Sequence, residues 1–289
     1  MSSIRLMRTF AAVASEGSFA AAAGRVALTQ AAVGQQMRTL ESDLRRPLFE
    51  RQGKAVVLNE AGRALVPQVR RLLALYEQML APAGTADGMA GTVHLGAVVS
   101  AVRPLIQATL ALKARHPALD LHVSAAKSLD LIGRVESGEL DAAVAVREPG
   151  GGNDLAWTPL YGEPMVLLVP RKLEETNPRA VLQREPFIRF DPAQHTGRLV
   201  ERTLRRLRVK PQAFLELNAL ESIAELVRSG LGVSVVPLLR DARWAADAKL
   251  RVIELPRAEE RRVALVQRRD SAKAAVAAAL ARALEARAS

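Results

Sequence analysis

Gln30, Gln35 and Arg38, with the small residue Ala31 beside them, fall within nine residues of one another. On a helix of 3.6 residues per turn they share one face, and Val33, Met37, Leu40 and Leu44 share the opposite one. A glutamine amide matches the donor and acceptor pair that adenine shows in a major groove, and a guanidinium holds phosphate. The chemistry on offer is therefore recognition of DNA rather than bond making. Such a face must be presented by a short, firmly placed helix. Thr29 is a suitable N-cap for a helix from about Gln30 to Leu44, and Ser18 for one spanning Phe19 to Arg25, with Val26, Ala27 and Leu28 as the turn between them. This is the layout of a helix-turn-helix. An Arg-rich, strand-like stretch follows up to Leu58, in which Arg51 is placed to hold phosphate.

Catalytic constellations are missing by comparison. His94, His116, His122 and His195 make no metal-binding spacing, and no G-x-S-x-G elbow occurs. The 289-residue chain has no cysteine, which excludes thiolate catalysis, a disulfide framework and Cys-ligated zinc, and fits a reducing compartment. Gly230, Gly232 and Pro237 match neither a Walker loop nor a dinucleotide fingerprint and read as turn residues. No cofactor or metal is expected.

The formal net charge is +11, which favours an anionic partner. Its distribution is uneven: residues 1–71 hold eleven Lys/Arg against five Asp/Glu, and residues 72–289 hold thirty against twenty-five. The helix-turn-helix segment is thus the more densely basic. No run approaches twenty apolar residues, and Arg5 and Arg8 interrupt the opening pattern, so neither a membrane span nor a signal peptide is expected, and the location read from this is cytoplasmic.

Asn59 can cap a longer helix reaching about Leu80, along which Leu65, Val69, Leu72, Tyr76 and Met79 recur at spacings of four and three. Such a seam needs burial against its own chain or against a second copy. Pro67 lies inside it and can bend the helix. Ala81 to Gly91 is rich in Gly and Pro and reads as a hinge.

From Thr92 the pattern changes to apolar strands alternating with amphipathic helices, with a helix expected over Pro104–Arg115 and others over 129–137, 197–207 and 220–229. Repeated strand-helix units predict a largely parallel sheet, arranged as two lobes with a cleft between them. Ligands of open α/β sheets sit beyond the carboxyl ends of the strands. Those ends carry Val99, Ser100 and Ala101, then Ser128, then Val146 and Arg147, and in the second lobe His195, Thr196 and Asn218. Ser100 and Ser128 can equally be helix caps, and His195 a surface histidine.

Taken in order, Phe10-Ala-Ala-Val-Ala-Ser-Glu-Gly-Ser-Phe19, Ala22-Ala23, Thr29-Gln30, Leu40-Glu41, Pro47-Leu48-Phe49-Glu50-Arg51 and Leu58-Asn59-Glu60-Ala61-Gly62 resemble the N-terminal pattern of the LysR-type transcriptional regulators. The resemblance departs at Ala31, Gly34 and Gln35, where that family usually has Pro, Ser and Arg, so a shifted operator preference is implied. It implies a winged helix-turn-helix over 1–58, a dimerising linker helix and hinge over 59–90, and a periplasmic-binding-protein-like (type 2) effector domain over 91–289. Lobe I would take about 91–162 and 267–289, lobe II about 163–266. The chain would cross between lobes near Tyr161–Pro164 and Val263–Arg268, and a final helix near 272–286 would return to lobe I. The resemblance also implies that Ser100 stands where the family often uses a hydroxyl to contact effector, that the seam helix forms a dimer, and that dimers pair into a homotetramer. The partners expected are double-stranded promoter DNA, further copies of the chain, RNA polymerase and a small effector, for which a basic chain with pocket hydroxyls and Arg147 suggests an organic anion. Two other classes fit the sequence less well. An enzyme lacks a motivated constellation, and a solute-capturing protein leaves residues 10–58 unexplained.

Overall fold

The computed structural model describes residues 3–52, 55–80, 89–147, 154–240 and 242–286. The expected hinge over 81–91 lies mostly outside the described residues, as does the side chain of Arg51.

The N-terminal unit comprises α1 (Ile4–Glu16), α2 (Phe19–Arg25), α3 (Gln30–Leu44), the hairpin of β1 (Phe49–Gln52) and β2 (Ala55–Leu58), and α4 (Glu60–Leu80). Phe10, Val33, Met37, Leu40 and Leu48 are fully or almost fully buried in its core. The Phe49 ring meets Phe19 edge-on at 5.2 Å and Phe10 at 6.1 Å, which ties the hairpin to both α1 and α2. Pro67 sits inside α4, and the helix runs through it without a break.

The remaining chain forms β3 (Gly91–Ala97), α5 (Val99–Arg115), β4 (Leu119–Ala125), α6 (Ser128–Glu136), β5 (Ala142–Val146), β6 (Leu155–Pro170), α7 (Pro178–Arg184), β7 (Phe187–Phe190), α8 (His195–Leu207), β8 (Ala213–Leu217), α9 (Leu220–Arg228), β9 (Ser234–Pro237), β10 (Leu250–Glu254), β11 (Glu260–Arg268) and α10 (Ala274–Glu285). Two cores lie side by side. One gathers Leu95, Leu105, Leu131, Val144, Leu265 and Leu280. The other gathers Met165, Leu167, Phe187, Val200, Ile223 and Val235.

The expectation of a largely parallel sheet needs correction. The main sheet runs β10-β6-β11-β5-β3-β4 with β9 also on β6, and only β3 pairs in parallel fashion within it, with β4 and β5. The other strand pairings in it are antiparallel, the longest being that of β6 with β11, which runs along β6 from Leu155 to Pro164. At 16 residues β6 serves both lobes, its first half on β11 and its second half on β9 and β10. Hydropathy showed only its fully buried end, Met165–Val169, because the first half alternates buried and partly exposed positions. Val263, Leu265 and Val266 belong to the first core, so β11 crosses between lobes near Glu260–Arg262, a few residues earlier than the resemblance implied.

A second correction concerns α5. Pro104 is a good first residue for a helix, but the helix begins five residues earlier at Val99 and carries Pro104 inside it. Ser100 therefore lies in the first turn of α5 rather than in a loop before it.

Candidate DNA-binding and effector sites

The recognition face is built from caps upward. Ser18 Oγ accepts the Ala21 N–H at 3.1 Å and Thr29 Oγ1 accepts the Ala32 N–H at 3.2 Å, so Ser18 and Thr29 act as the N-caps that their positions predicted. Between the two helices Ala27 adopts a left-handed conformation (φ 53°), which makes the turn tight. Gln30, Ala31, Gln35 and Arg38 are all exposed on α3, and Val33, Met37 and Leu40 are buried beneath them. Gln35 and Arg38 are not independent: Gln35 Oε1 accepts from Arg38 Nη2 at 2.7 Å and from Nε at 3.3 Å. That pairing holds the amide oxygen of Gln35 and leaves its NH2 as the group able to reach a base acceptor.

Two motifs quoted above prove to be braces. Glu41 Oε1 accepts the N–H groups of Leu48 and Phe49 at 2.7 and 3.2 Å, fixing the approach to the hairpin on α3. Asn59 caps α4 by accepting the Gly62 N–H at 2.8 Å while its Nδ2 donates to the Pro47 carbonyl at 3.0 Å. A Cβ at Gly62 would stand 2.2 Å from the Leu48 carbonyl oxygen, so any other residue there must push the backbone before the hairpin aside.

The seam of α4 divides. Leu65 and Val69 are buried in the core of their own chain, at 6% and 2% exposure. Leu72, Leu75 and Met79 are 40%, 52% and 82% exposed, and Tyr76 carries the Arg8 guanidinium 5.9 Å above its ring.

In the second half of the chain the named strand ends converge only in part. Ser100 caps nothing: the N-cap of α5 is Val98, and Ser100 Oγ accepts from Arg261 Nη2 at 2.6 Å. Arg261 on β11 in turn donates from Nε to Glu163 Oε2 on β6 at 2.6 Å. Register explains the meeting, since Arg261 and Glu163 are direct partners across the two crossing strands. This triad links the first turn of α5 to both crossings. Burial pushes the Glu163 carboxyl above the usual carboxylate range, with the facing guanidinium opposing that push. Sequence reasoning missed Arg261 and Glu163, and the only signal was their position beside the expected crossings.

Ser128 opens α6, and its Oγ accepts the Val146 N–H at 3.1 Å, pinning the helix to the end of β5. Val99 is 72% exposed, whereas Ala101 and Val146 are core residues that offer the cleft only backbone. Thr196 is buried in the first turn of α8 beside His195, and Asn218 is exposed at the end of β8. Lys127, just before α6, lies close enough to Asp191 of the other lobe to help hold that carboxyl below its ordinary value, behind hydrogen bonds from Gln194 and Ala193. Arg147 faces elsewhere. Its guanidinium lies 5.9 Å above the Trp157 ring, and it lines a groove of about 670 Å³ with Gly162, Glu260 and Arg262. Those last three alternate with Arg261 and Glu163 along their strands, so the groove is on the face opposite Ser100. Among the described residues no group of His, Cys, Asp or Glu is arranged to hold a metal ion, and no helix is long and apolar enough to cross a membrane.

Comparison with known proteins finds two matched segments in the chain. Residues 4–63 match the family described as bacterial regulatory helix-turn-helix protein, lysR family, and residues 86–289 match the LysR substrate binding domain. The chain is 30% identical over 263 residues to the HTH-type transcriptional regulator YnfL of Escherichia coli, covering 85% of this chain and 88% of that one. It is 29% identical over 240 residues to the regulator CbbR of Rhodospirillum rubrum, covering 81% and 78%. Among solved structures, a full-length OxyR from Pseudomonas aeruginosa superimposes with a TM-score of 0.77 at 23% identity, covering 99% and 98%. The regulator CbnR, solved with its target DNA, superimposes at 0.55 and 20%, covering 98% and 99%.

Proposed function

We propose how this protein works from the premise that it belongs to the LysR family of bacterial transcriptional regulators, with a DNA-binding helix-turn-helix and an effector-binding domain. The observation that carries the DNA reading is the face of α3, where exposed Gln30, Ala31, Gln35 and Arg38 stand over a buried apolar stripe and begin at a capped N-terminus. In a major groove Gln30 reads a base edge by a bidentate amide contact. Gln35 offers its NH2 to an acceptor while Arg38 holds its oxygen and approaches phosphate. Arg51 on the hairpin, with Ser18 and Thr29 at the helix starts, completes the backbone-holding set.

The exposed residues of α4, Leu72, Leu75 and Met79 with Tyr76, form the dimer contact, and Leu65 and Val69 fasten α4 to its own helix-turn-helix. Dimers pair into a tetramer in the cytoplasm. An effector enters the cleft between the lobes, where Val99, Ser100, Ala101, Ser128 and Val146 face His195, Thr196 and Asn218. The basic side chains at hand, Arg261 and Lys127, suit an organic anion. Binding favours one lobe arrangement, changes the spacing of the DNA-binding pairs, and is felt at the promoter by RNA polymerase. No catalytic step is part of this reading.

The test is a comparison of Gln30→Ala with the parent protein on an operator selected by the protein from a random DNA library and on unselected DNA. Loss of roughly 1–3 kcal/mol on the operator, with unselected DNA bound as before, is expected. Equal loss on both removes Gln30 from the base-reading set.

A further inference from the structure

The nine residues of α6 connect two places that are otherwise far apart. At its start, Ser128 is held to the end of β5 through the Val146 N–H. At its end, the turn Ser137–Gly138–Glu139 receives a side chain from the linker helix. Arg70 of α4 donates from Nη1 to Ser137 Oγ at 3.1 Å and to the Ser137 carbonyl at 3.5 Å, and its Nη2 lies 3.9 Å from Glu139 Oε2. The turn itself is stiff. Its amides at Glu139 and Leu140 both donate to the Arg134 carbonyl, Arg134 Nε binds Glu139 Oε1 at 2.7 Å, and Gly138 takes the left-handed φ of 72° that a Cβ would strain. A Cβ at Gly138 would also stand 2.7 Å from the Arg268 guanidinium, while the Arg70 Cβ lies at an ordinary contact distance of 3.6 Å. One residue further along α4, Arg71 Nε lies 3.4 Å from Asp270 of the turn after β11.

Between these ends α6 is a short rigid body. Leu131 and Val135 are fully buried, and Leu131 rests directly on Gly96 of β3, where no side chain intervenes. Nine residues at about 1.5 Å each give a rod of roughly 13 Å. A close-packed rod held at both ends moves as a unit rather than deforming along its length.

We propose that α6 transmits the state of the cleft to the linker helix, with the Ser128–Val146 bond as its input and the Arg70 grip on Ser137–Glu139 as its output. The direction of the signal rests on the cleft being the effector site. The mechanical link does not, and it is testable without ligand.

The experiment is amide hydrogen exchange on the full chain for the parent, Ser128→Ala, Arg70→Gln and the double variant. Ser128→Ala frees the input end and is expected to speed exchange about fivefold or more in the first turn of α6 and also over residues 66–74 of α4, with the lobe II strands β7 and β9 as unchanged fold controls. Arg70→Gln is expected to speed exchange over residues 66–74 and 133–140, and in the double variant α4 should no longer respond to the Ser128 change. A response to Ser128→Ala confined to α6 overturns the link. So does an α4 response that survives undiminished in the Arg70→Gln background, because the signal would then travel by another route. No change in α6 from Ser128→Ala overturns the proposal at its input. None of these results depends on whether an effector binds between the lobes.

Discussion

Replacing Arg261 with Met removes one half of an ion pair whose side chains are 7% and 2% exposed. The Glu163 carboxylate, already pushed up by burial, then loses the opposing charge 2.6 Å away, and Ser100 loses its donor. Leaving one charge of a buried pair uncompensated typically costs about 3–5 kcal/mol. Glu163→Leu strands the guanidinium instead and should cost about as much. The double variant Arg261→Met/Glu163→Leu removes both charges and fills the space with apolar atoms, so it should recover most of the loss and lie within about 1–2 kcal/mol of the parent. The coupling between the sites should therefore exceed roughly 2 kcal/mol. Urea unfolding of the full chain followed by far-UV circular dichroism measures all four corners of the cycle. Additive losses, with a coupling below about 0.5 kcal/mol, would refute the view that the triad is a mutually dependent buried unit.

Gly62→Ala and Gly34→Ala should move stability in opposite directions in thermal melts. The first forces a Cβ into the Leu48 carbonyl and should cost about 1–3 kcal/mol, whereas the second meets only ordinary contacts at 3.8–3.9 Å inside α3 and should gain about 0.5–1 kcal/mol. Leu72→Asp places a charge on the exposed part of the α4 seam and should lower the oligomeric state in sedimentation while the fold survives; an unchanged assembly would move the dimer contact elsewhere. Burial raises the Asp141 carboxyl above its ordinary 3.8, against the pull of the His94 N–H it accepts. The folded state therefore holds this proton more tightly than the unfolded state, and the group's contribution to stability falls as pH rises from 3.8 through the raised value. Asp141→Asn keeps an acceptor without the charge. It should be more stable than the parent at pH 7, with the gap closing as pH falls towards 3.8, and a gap independent of pH would contradict the assignment.

Much of the DNA-binding half was legible in one dimension because its determinants are local. Ser18 and Thr29 cap helices that begin at the next residue, and the stripe of Val33, Met37 and Leu40 is set by helical periodicity alone. The amphipathic helices and apolar strands beyond residue 91 announced an α/β region for the same reason. Tertiary structure decided what depends on partners distant in the chain. Arg261 meets Ser100 across 161 residues and Glu163 across 98, because antiparallel register sets two crossing strands side by side, and no local pattern encodes that register. Arg147 follows Val146 by one residue yet faces a different groove, since side chains alternate along an extended chain. The seam of α4 is a continuous heptad in the sequence, but Leu65 and Val69 join the core of the N-terminal unit while Leu72 and Met79 are left exposed, a division fixed by where the helices lie rather than by which residues they carry.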